Sequence, residues 1–208
     1  MLMSRKHNFI FIHIYKNAGT SITSALKPYA GNIFHRNLGR FLHKLDIPTD
    51  LDIHPFYDHV KAHEIIEKIG EEEFKSYFTF AIVRNPWDWQ VSLYKYMLKE
   101  KTHYQHNLIR SLGSFDEYIK WRCGNEVEFQ KDFIYSNNNK ILVDFVGRME
   151  NLDHDFKTIC SRIGITASLP KLNVSNTKPY QQYYTDETID LVGITYKPDI
   201  DCFNYEFE

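Results

Sequence analysis

The 208-residue chain holds only three cysteines, and their number and spacing exclude two architectures. Cys123, Cys160 and Cys202 are odd in number and far apart, unlike the paired disulfide framework of a small secreted domain. They also lack the Cys-x-x-Cys pairs of a zinc knuckle. Three reduced thiols in a cytoplasmic protein are the expectation. Charge of one sign is missing as well: 25 Lys and Arg oppose 27 Asp and Glu, a formal net charge of −2. No nucleic-acid partner is therefore expected, and any grip on an anion must come from local arrangement. No apolar run approaches the roughly 20 residues of a membrane span, and residues 9–14 are also too short for a secretory core. No cleavable signal and no stable membrane insertion are expected. Internal repeats, low-complexity tracts and linkers are absent. What is present, 43% hydrophobic and 15% aromatic residues, suffices for the core of one domain spanning 1–208.

The patterning points to an α/β fold, a single domain with a central parallel sheet flanked by helices. Residues 9–14 and 77–83 are continuous apolar, β-branched and aromatic runs, as in strands buried on both faces. A third strand is expected over 141–146, and residues 1–8 read as polar. Helices are expected over 22–26, 59–69 ending at Gly70, 87–100, 152–163 ending at Gly164, and 186–196. Asn85 and Pro86 form a helix start, the first as cap and the second at the first helical position. Residues 29–58 read as loop and short helices, and 101–140 as mostly helical with loops and a turn at 136–139.

Two segments carry chemistry. Lys16, Asn17, Ala18, Gly19, Thr20 and Ser21 lie between a buried strand and a helix N-terminus. Unpaired backbone N–H groups and the helix dipole favour an anion there. Gly19 permits close backbone approach, Thr20 and Ser21 add hydroxyls, and Lys16 adds a full charge. The same residues also make an ordinary strand–helix turn with a hydroxyl cap, and the loop alone does not separate the two. The Walker pattern G-x-x-x-x-G-K-S/T is absent, since the lysine precedes the glycine. The second apolar strand likewise ends in a basic residue, Arg84, with Ser92 eight positions on. Ligands of open α/β sheets bind beyond the carboxyl ends of strands, so both loops are expected on one rim. Arg84 offers a planar fork for a second phosphate and Ser92 a hydroxyl; the alternative is an arginine paired with Asp88 and a plain helix-face serine. Two phosphate sites imply a ligand with two separated phosphates.

Phe11-Ile-His-Ile-Tyr-Lys-Asn-Ala-Gly-Thr-Ser21 resembles the 5′-phosphosulfate loop of sulfotransferases that use 3′-phosphoadenosine 5′-phosphosulfate (PAPS). Phe80-Ala-Ile-Val-Arg-Asn-Pro-Trp-Asp-Trp-Gln-Val-Ser-Leu-Tyr94 resembles their 3′-phosphate motif. The likeness is to the carbohydrate sulfotransferase type, including its soluble bacterial members. It continues through Asp144-Phe-Val-Gly-Arg-Met-Glu-Asn-Leu152, Leu169-Pro-Lys-Leu-Asn173, Tyr183-Tyr184 and Phe203-Asn-Tyr-Glu-Phe207. It is weak over 29–58 and 100–130. Three positions depart: Tyr15 stands where that family usually has Pro, Trp89 where Arg is common, and Met149 where Phe is usual. The resemblance implies the P-loop-kinase-like sulfotransferase fold. It assigns Lys16 to Ser21 to the 5′-phosphosulfate, Arg84 and Ser92 to the 3′-phosphate, and Lys178, at the end of a closing loop over 173–178, to the nucleotide. An adenine-stacking aromatic is not identifiable.

The implied reaction moves the sulfuryl group of PAPS in line to an acceptor hydroxyl and releases PAP. It needs charge stabilisation at the leaving oxygen, for which Lys16 is the candidate, and a base. His59 is the candidate base, in His59-Val-Lys-Ala62, where relatives carry His-x-x-Ala; the alternative is an exposed or capping histidine. His54 is the backup, and His13 reads as a core histidine. No metal is expected. His59 and His63 stand at i, i+4, but Glu67 occupies the place a second histidine would take in H-E-x-x-H. Trp87, Trp89, Trp121, Tyr180, Tyr183 and Tyr184 offer flat faces for a sugar, although at helical spacing they read as core. Lys95, Lys99 and Lys101 suit an anionic glycan or, more simply, a solvated helix face. A carbohydrate acceptor leads; small-alcohol, lipid-linked glycan and aromatic acceptors stay open. The rival functions are a nucleotide-dependent kinase and a non-catalytic nucleotide-binding module.

Overall fold

The computed structural model describes residues 1–30, 59–170 and 178–208. In chain order the strands are β1 (Leu2–Ser4), β2 (Phe9–Ile12), β3 (Phe78–Val83) and β4 (Phe145–Arg148). The helices are α1 (Gly19–Leu26), α2 (Ala62–Ile69), α3 (Glu71–Lys75), α4 (Pro86–Lys99), α5 (His106–Leu112), α6 (Phe115–Asn125), α7 (Leu152–Arg162), α8 (Asp186–Thr195) and α9 (Lys197–Phe203). The chain divides into two compact units, Met1–Val83 with Asp132–Asn173, and Arg84–Lys131 with Val174–Glu208.

The first unit holds the sheet, in the order β1-β2-β3-β4. β2, β3 and β4 run parallel, with Phe11 opposite Phe80 and Phe80 opposite Phe145. Alternation splits the strand residues between two faces. Phe9, Phe11, Phe80 and Ile82 pack with Ile22 and Leu26 of α1 and with Phe156, Ile159 and Cys160 of α7. Ile10, Ile12, Ala81 and Val83, on the other face, are also buried, which is why both strands read as unbroken apolar runs.

Three expectations for this unit need correction. Residues 1–8 are not simply polar: Leu2, Met3 and Ser4 are buried and pair antiparallel with β2. The sheet is therefore mixed at its edge. The third strand is not 141–146 but Phe145–Arg148, because Asp144 interrupts it. The Asp144 carboxylate accepts from both the backbone N–H and the hydroxyl of Thr79, each at 2.8 Å. Upstream, Ile141 only bridges Tyr135 across the turn at 136–139. The helix expected over 59–69 begins at Ala62, so His59 precedes it. Gly70 ends it with φ 88°, a conformation that favours glycine.

The second unit is helical. Asn85 caps α4 by accepting from the Trp87 N–H at 3.1 Å, and Pro86 takes the first helical position, as the sequence predicts. Trp87 and Trp89 are core residues. The Trp87 indole donates to the Ile189 carbonyl, and Trp89 meets Tyr196 edge to face. α9, following α8 after a single residue, was not anticipated from the sequence. Among the described residues, no helix is long and apolar enough to cross a membrane.

Candidate functional site

The loop after β2 departs from an ordinary turn. Lys16 and Ala18 are left-handed, at φ 64° and 56°, while Asn17 between them is not. Alternation of this kind turns successive N–H groups toward one concavity, an anion-receptive nest. Non-glycine residues there cost on the order of 1 kcal/mol each, strain of the sort concentrated at functional sites. α1 begins directly after Ala18 with no side-chain cap and no acidic residue in its first turn. The hydroxyl cap of the ordinary-turn alternative is therefore not formed, and the helix N-terminus keeps its attraction for a negative group. Thr20 is exposed and Ser21 half-buried. Asn17 is only 1% exposed, and its side-chain amide donates to the Ile82 carbonyl at 2.9 Å and ties the loop to β3.

Gly19 is needed for a reason the sequence did not reveal. Its φ is not positive, so its conformation suits any residue. A Cβ there would lie 1.6 Å from Nε2 of His13. The imidazole of His13 fills the space over the glycine, so the close approach at Gly19 is made by a ring of the same chain. His13 is consequently not a plain core histidine. It is half-buried, stacks on Phe11, and lies 4.6 Å from the ring of His59, centroid to centroid.

His59 is brought to this loop, exposed, with Tyr15 edge-on at 5.8 Å. Its Nδ1 lies 3.0 Å from the His13 carbonyl oxygen. A carbonyl only accepts, so Nδ1 carries the proton and donates. In the neutral ring Nε2 then holds the lone pair, the form a general base requires. Tyr15, one of the departures from the family pattern, also meets Phe133 edge-on. Lys61 lies 5.8 Å over that same Phe133 ring.

Arg84, Ser92 and Lys178 belong to the second unit. The Nε–H of Arg84 donates to Asp88 Oδ2 at 2.7 Å, with only 16% of the arginine side chain and 26% of the aspartate exposed. The pairing with Asp88 is thus formed, and it fixes the plane of the guanidinium. Ser92 is half-buried on α4, one turn beyond Asp88 on the same face. Lys178 is exposed; the rest of the loop at 173–178, together with His54 and most of 29–58, lies outside the described residues. Lys95 sits 4.4 Å over the Tyr183 ring, while Lys99 and Lys101 are exposed. Burial pushes the Cys123 and Cys160 thiols up, away from nucleophilic use. Among the described residues no three His, Cys, Asp or Glu side chains gather as a metal site.

A mostly parallel sheet whose second strand runs into a strained, uncapped loop beside a tautomer-fixed imidazole defines an α/β protein with an anion-receptive centre. The family model described as the sulfotransferase family matches residues 1–206, and the chain belongs to that family, whose chemistry is sulfuryl transfer. An uncharacterized protein of Archaeoglobus fulgidus is 30% identical over 121 residues, which cover 57% of this chain and 94% of that protein. The crystal structure of mouse sulfotransferase SULT7A1 complexed with PAP aligns over 96% of this chain and 86% of that one. The TM-score is 0.47 and the sequence identity 13%.

Proposed function

We propose that this protein transfers the sulfuryl group of PAPS to a hydroxyl of a carbohydrate acceptor and releases PAP. The observation that carries the reading lies within the first unit. A nest bearing Lys16 is joined through His13 to an imidazole whose Nδ1 is tied to a carbonyl. Family membership supports the chemistry, and the resemblance of residues 11–21 and 80–94 to the carbohydrate type supports the acceptor class.

PAPS supplies a sulfuryl group on a phosphate leaving group. The N–H groups of residues 16–21 and the hydroxyls of Thr20 and Ser21 bind the 5′-phosphosulfate. Arg84, held by Asp88, and Ser92 bind the 3′-phosphate, with Lys178 as a further nucleotide contact. His59 Nε2 takes the acceptor's hydroxyl proton as the new O–S bond forms. Lys16 neutralises charge on the bridging oxygen as the S–O bond to phosphate breaks. The imidazolium so formed keeps its Nδ1–H on the His13 carbonyl throughout, and needs no reorganisation to do so. The kinase alternative is not favoured by the family match.

Calorimetry with PAP and ATP, without added metal, tests the donor site. Micromolar PAP binding with little ATP binding is expected, whereas equal or stronger ATP binding refutes the assignment. Transfer from PAPS to a panel of glycans then tests the acceptor class. A His59→Ala variant is expected to keep PAP affinity while turnover falls by about 10²- to 10⁴-fold, the usual worth of a general base. Unchanged turnover removes His59 from its role.

A further inference from the structure

Arg84 occupies an awkward point of the backbone. β3 ends at Val83, Asn85 caps α4, and Arg84 between them belongs to neither element. A single side chain supplies both of its backbone partners. Gln130 Oε1 accepts from the Arg84 N–H at 2.9 Å, and Gln130 Nε2 donates to the Arg84 carbonyl at 2.8 Å. One amide thus imitates a neighbouring strand for one residue. The two contacts demand opposite ends of the amide, so they fix its orientation as well.

Gln130 is itself anchored. Its N–H donates to Asp199 Oδ2 at 2.8 Å, and the next N–H, from Lys131, donates to Asp199 Oδ1 at 2.9 Å. Gln130 and Asp199 are both fully buried. Burying a carboxylate is costly unless it is well hydrogen-bonded, and two converging amides meet that need. The chain of contacts runs from α9 through Asp199 and Gln130 to the backbone of Arg84. Asp88 holds the same residue further out, at Nε. Arg84 is therefore held by two side chains, Gln130 at its backbone and Asp88 at its guanidinium, while Asp199 holds the backbone of Gln130.

We propose that Gln130 and Asp199 are positioning residues for the 3′-phosphate site. They set where the Arg84 guanidinium stands, and through it how strongly the protein distinguishes a nucleotide bearing a 3′-phosphate from one without. The inference rests on the donor-site reading above. A displacement of about 1 Å in a positioning group costs up to about 10²-fold, so a small pivot of the Arg84 backbone is enough to register.

The test is the ratio of two affinities, measured by calorimetry for PAP and for adenosine 5′-monophosphate, which lacks the 3′-phosphate. Gln130→Glu keeps the shape and the acceptor for the Arg84 N–H, but sets an oxygen against the Arg84 carbonyl. It is expected to lower the PAP preference by about 10- to 100-fold while affinity for the monophosphate holds within about threefold. In an Arg84→Ala background the same substitution is expected to change the preference no further, because its effect passes through Arg84. If Q130E does not fold, Asp199→Asn, which retains one acceptor, is read the same way. An unchanged preference in the variant, or PAP and monophosphate affinities falling together, overturns the positioning role while leaving the donor site standing. A wild-type protein with no preference for PAP instead overturns the donor-site reading, and the inference with it.

Discussion

Substituting Gly19 by alanine separates two physical arguments that predict opposite signs. Gly19 opens α1 with a φ that any residue adopts, so helix propensity alone favours alanine by at most about 1 kcal/mol. Packing says otherwise. The new methyl would lie 1.6 Å from Nε2, 2.0 Å from Cδ2 and 2.5 Å from Cε1 of His13. Ordinary contact begins near 3.4 Å, so the ring must withdraw by 1.8 Å, the difference between 3.4 and 1.6. Its neighbours leave little room: Phe11 stacks on it, and the His59 ring is 4.6 Å away. Overpacking costs about 1–3 kcal/mol, and a ring hemmed in on two sides takes the upper part of that range, about 2–3 kcal/mol, so subtracting the propensity gain leaves a net loss of about 1–2 kcal/mol. Urea denaturation of the single variants and of Gly19→Ala with His13→Ala measures it. The double variant is expected to be more stable than the sum of the single losses predicts, by at least about 1 kcal/mol, since removing the imidazole removes the clash. A Gly19→Ala protein as stable as wild type, or strict additivity with His13→Ala, would refute the packing argument.

The remaining expectations concern stability. Asp144→Ala leaves the N–H and hydroxyl of the nearly buried Thr79 without their carboxylate and is expected to cost about 1–3 kcal/mol. A change of less than about 0.5 kcal/mol in chemical denaturation would show that water replaces it. Alkaline pH acts on the second unit, where burial pushes the phenols of Tyr118, Tyr184 and Tyr196 above their ordinary value of 10. Their folded-state values exceed the unfolded one, so their contribution is complete below about pH 10. Above it, about 1.4 kcal/mol per pH unit is lost for each phenol ionised only in the unfolded chain. Denaturation midpoints measured from pH 8 to 11 are expected to hold to about pH 10 and then fall, less steeply in Tyr184→Phe; a profile that stays flat to pH 11 contradicts the burial.

The sequence was legible where one residue type answers to one local cause. β2 and β3 show as unbroken apolar runs because both of their faces are covered. The start of α4 shows because Asn85 caps it and Pro86 follows. Gly70 and Gly164 show as helix ends because both adopt a positive φ that side chains disfavour, at 88° and 67°. Legibility failed where a partner distant in sequence decides the outcome. β1 carries only three paired residues, too few for a pattern. Asp144 breaks a strand because Thr79, 65 positions earlier, donates to its carboxylate.

The same division runs through the candidate site. The positions of Lys16 and Arg84 at strand ends could be read directly, because a basic residue after a buried strand is a local signal. Their settings could not. A glycine in a loop before a helix suggests room for a ligand, yet at Gly19 that room holds His13, whose own place in an apolar run suggested only core. Gln130 stands in a stretch with no periodicity, and its meaning depends on a backbone 46 residues away. Asp199, buried on α9, serves a loop 69 residues earlier. In this chain the residues that bear charge are marked locally, while those that aim them are marked only by contacts made after folding. Substitutions at the aiming residues should therefore alter selectivity between ligands before they alter the fold, which is the order of effects that the PAP and monophosphate affinities resolve.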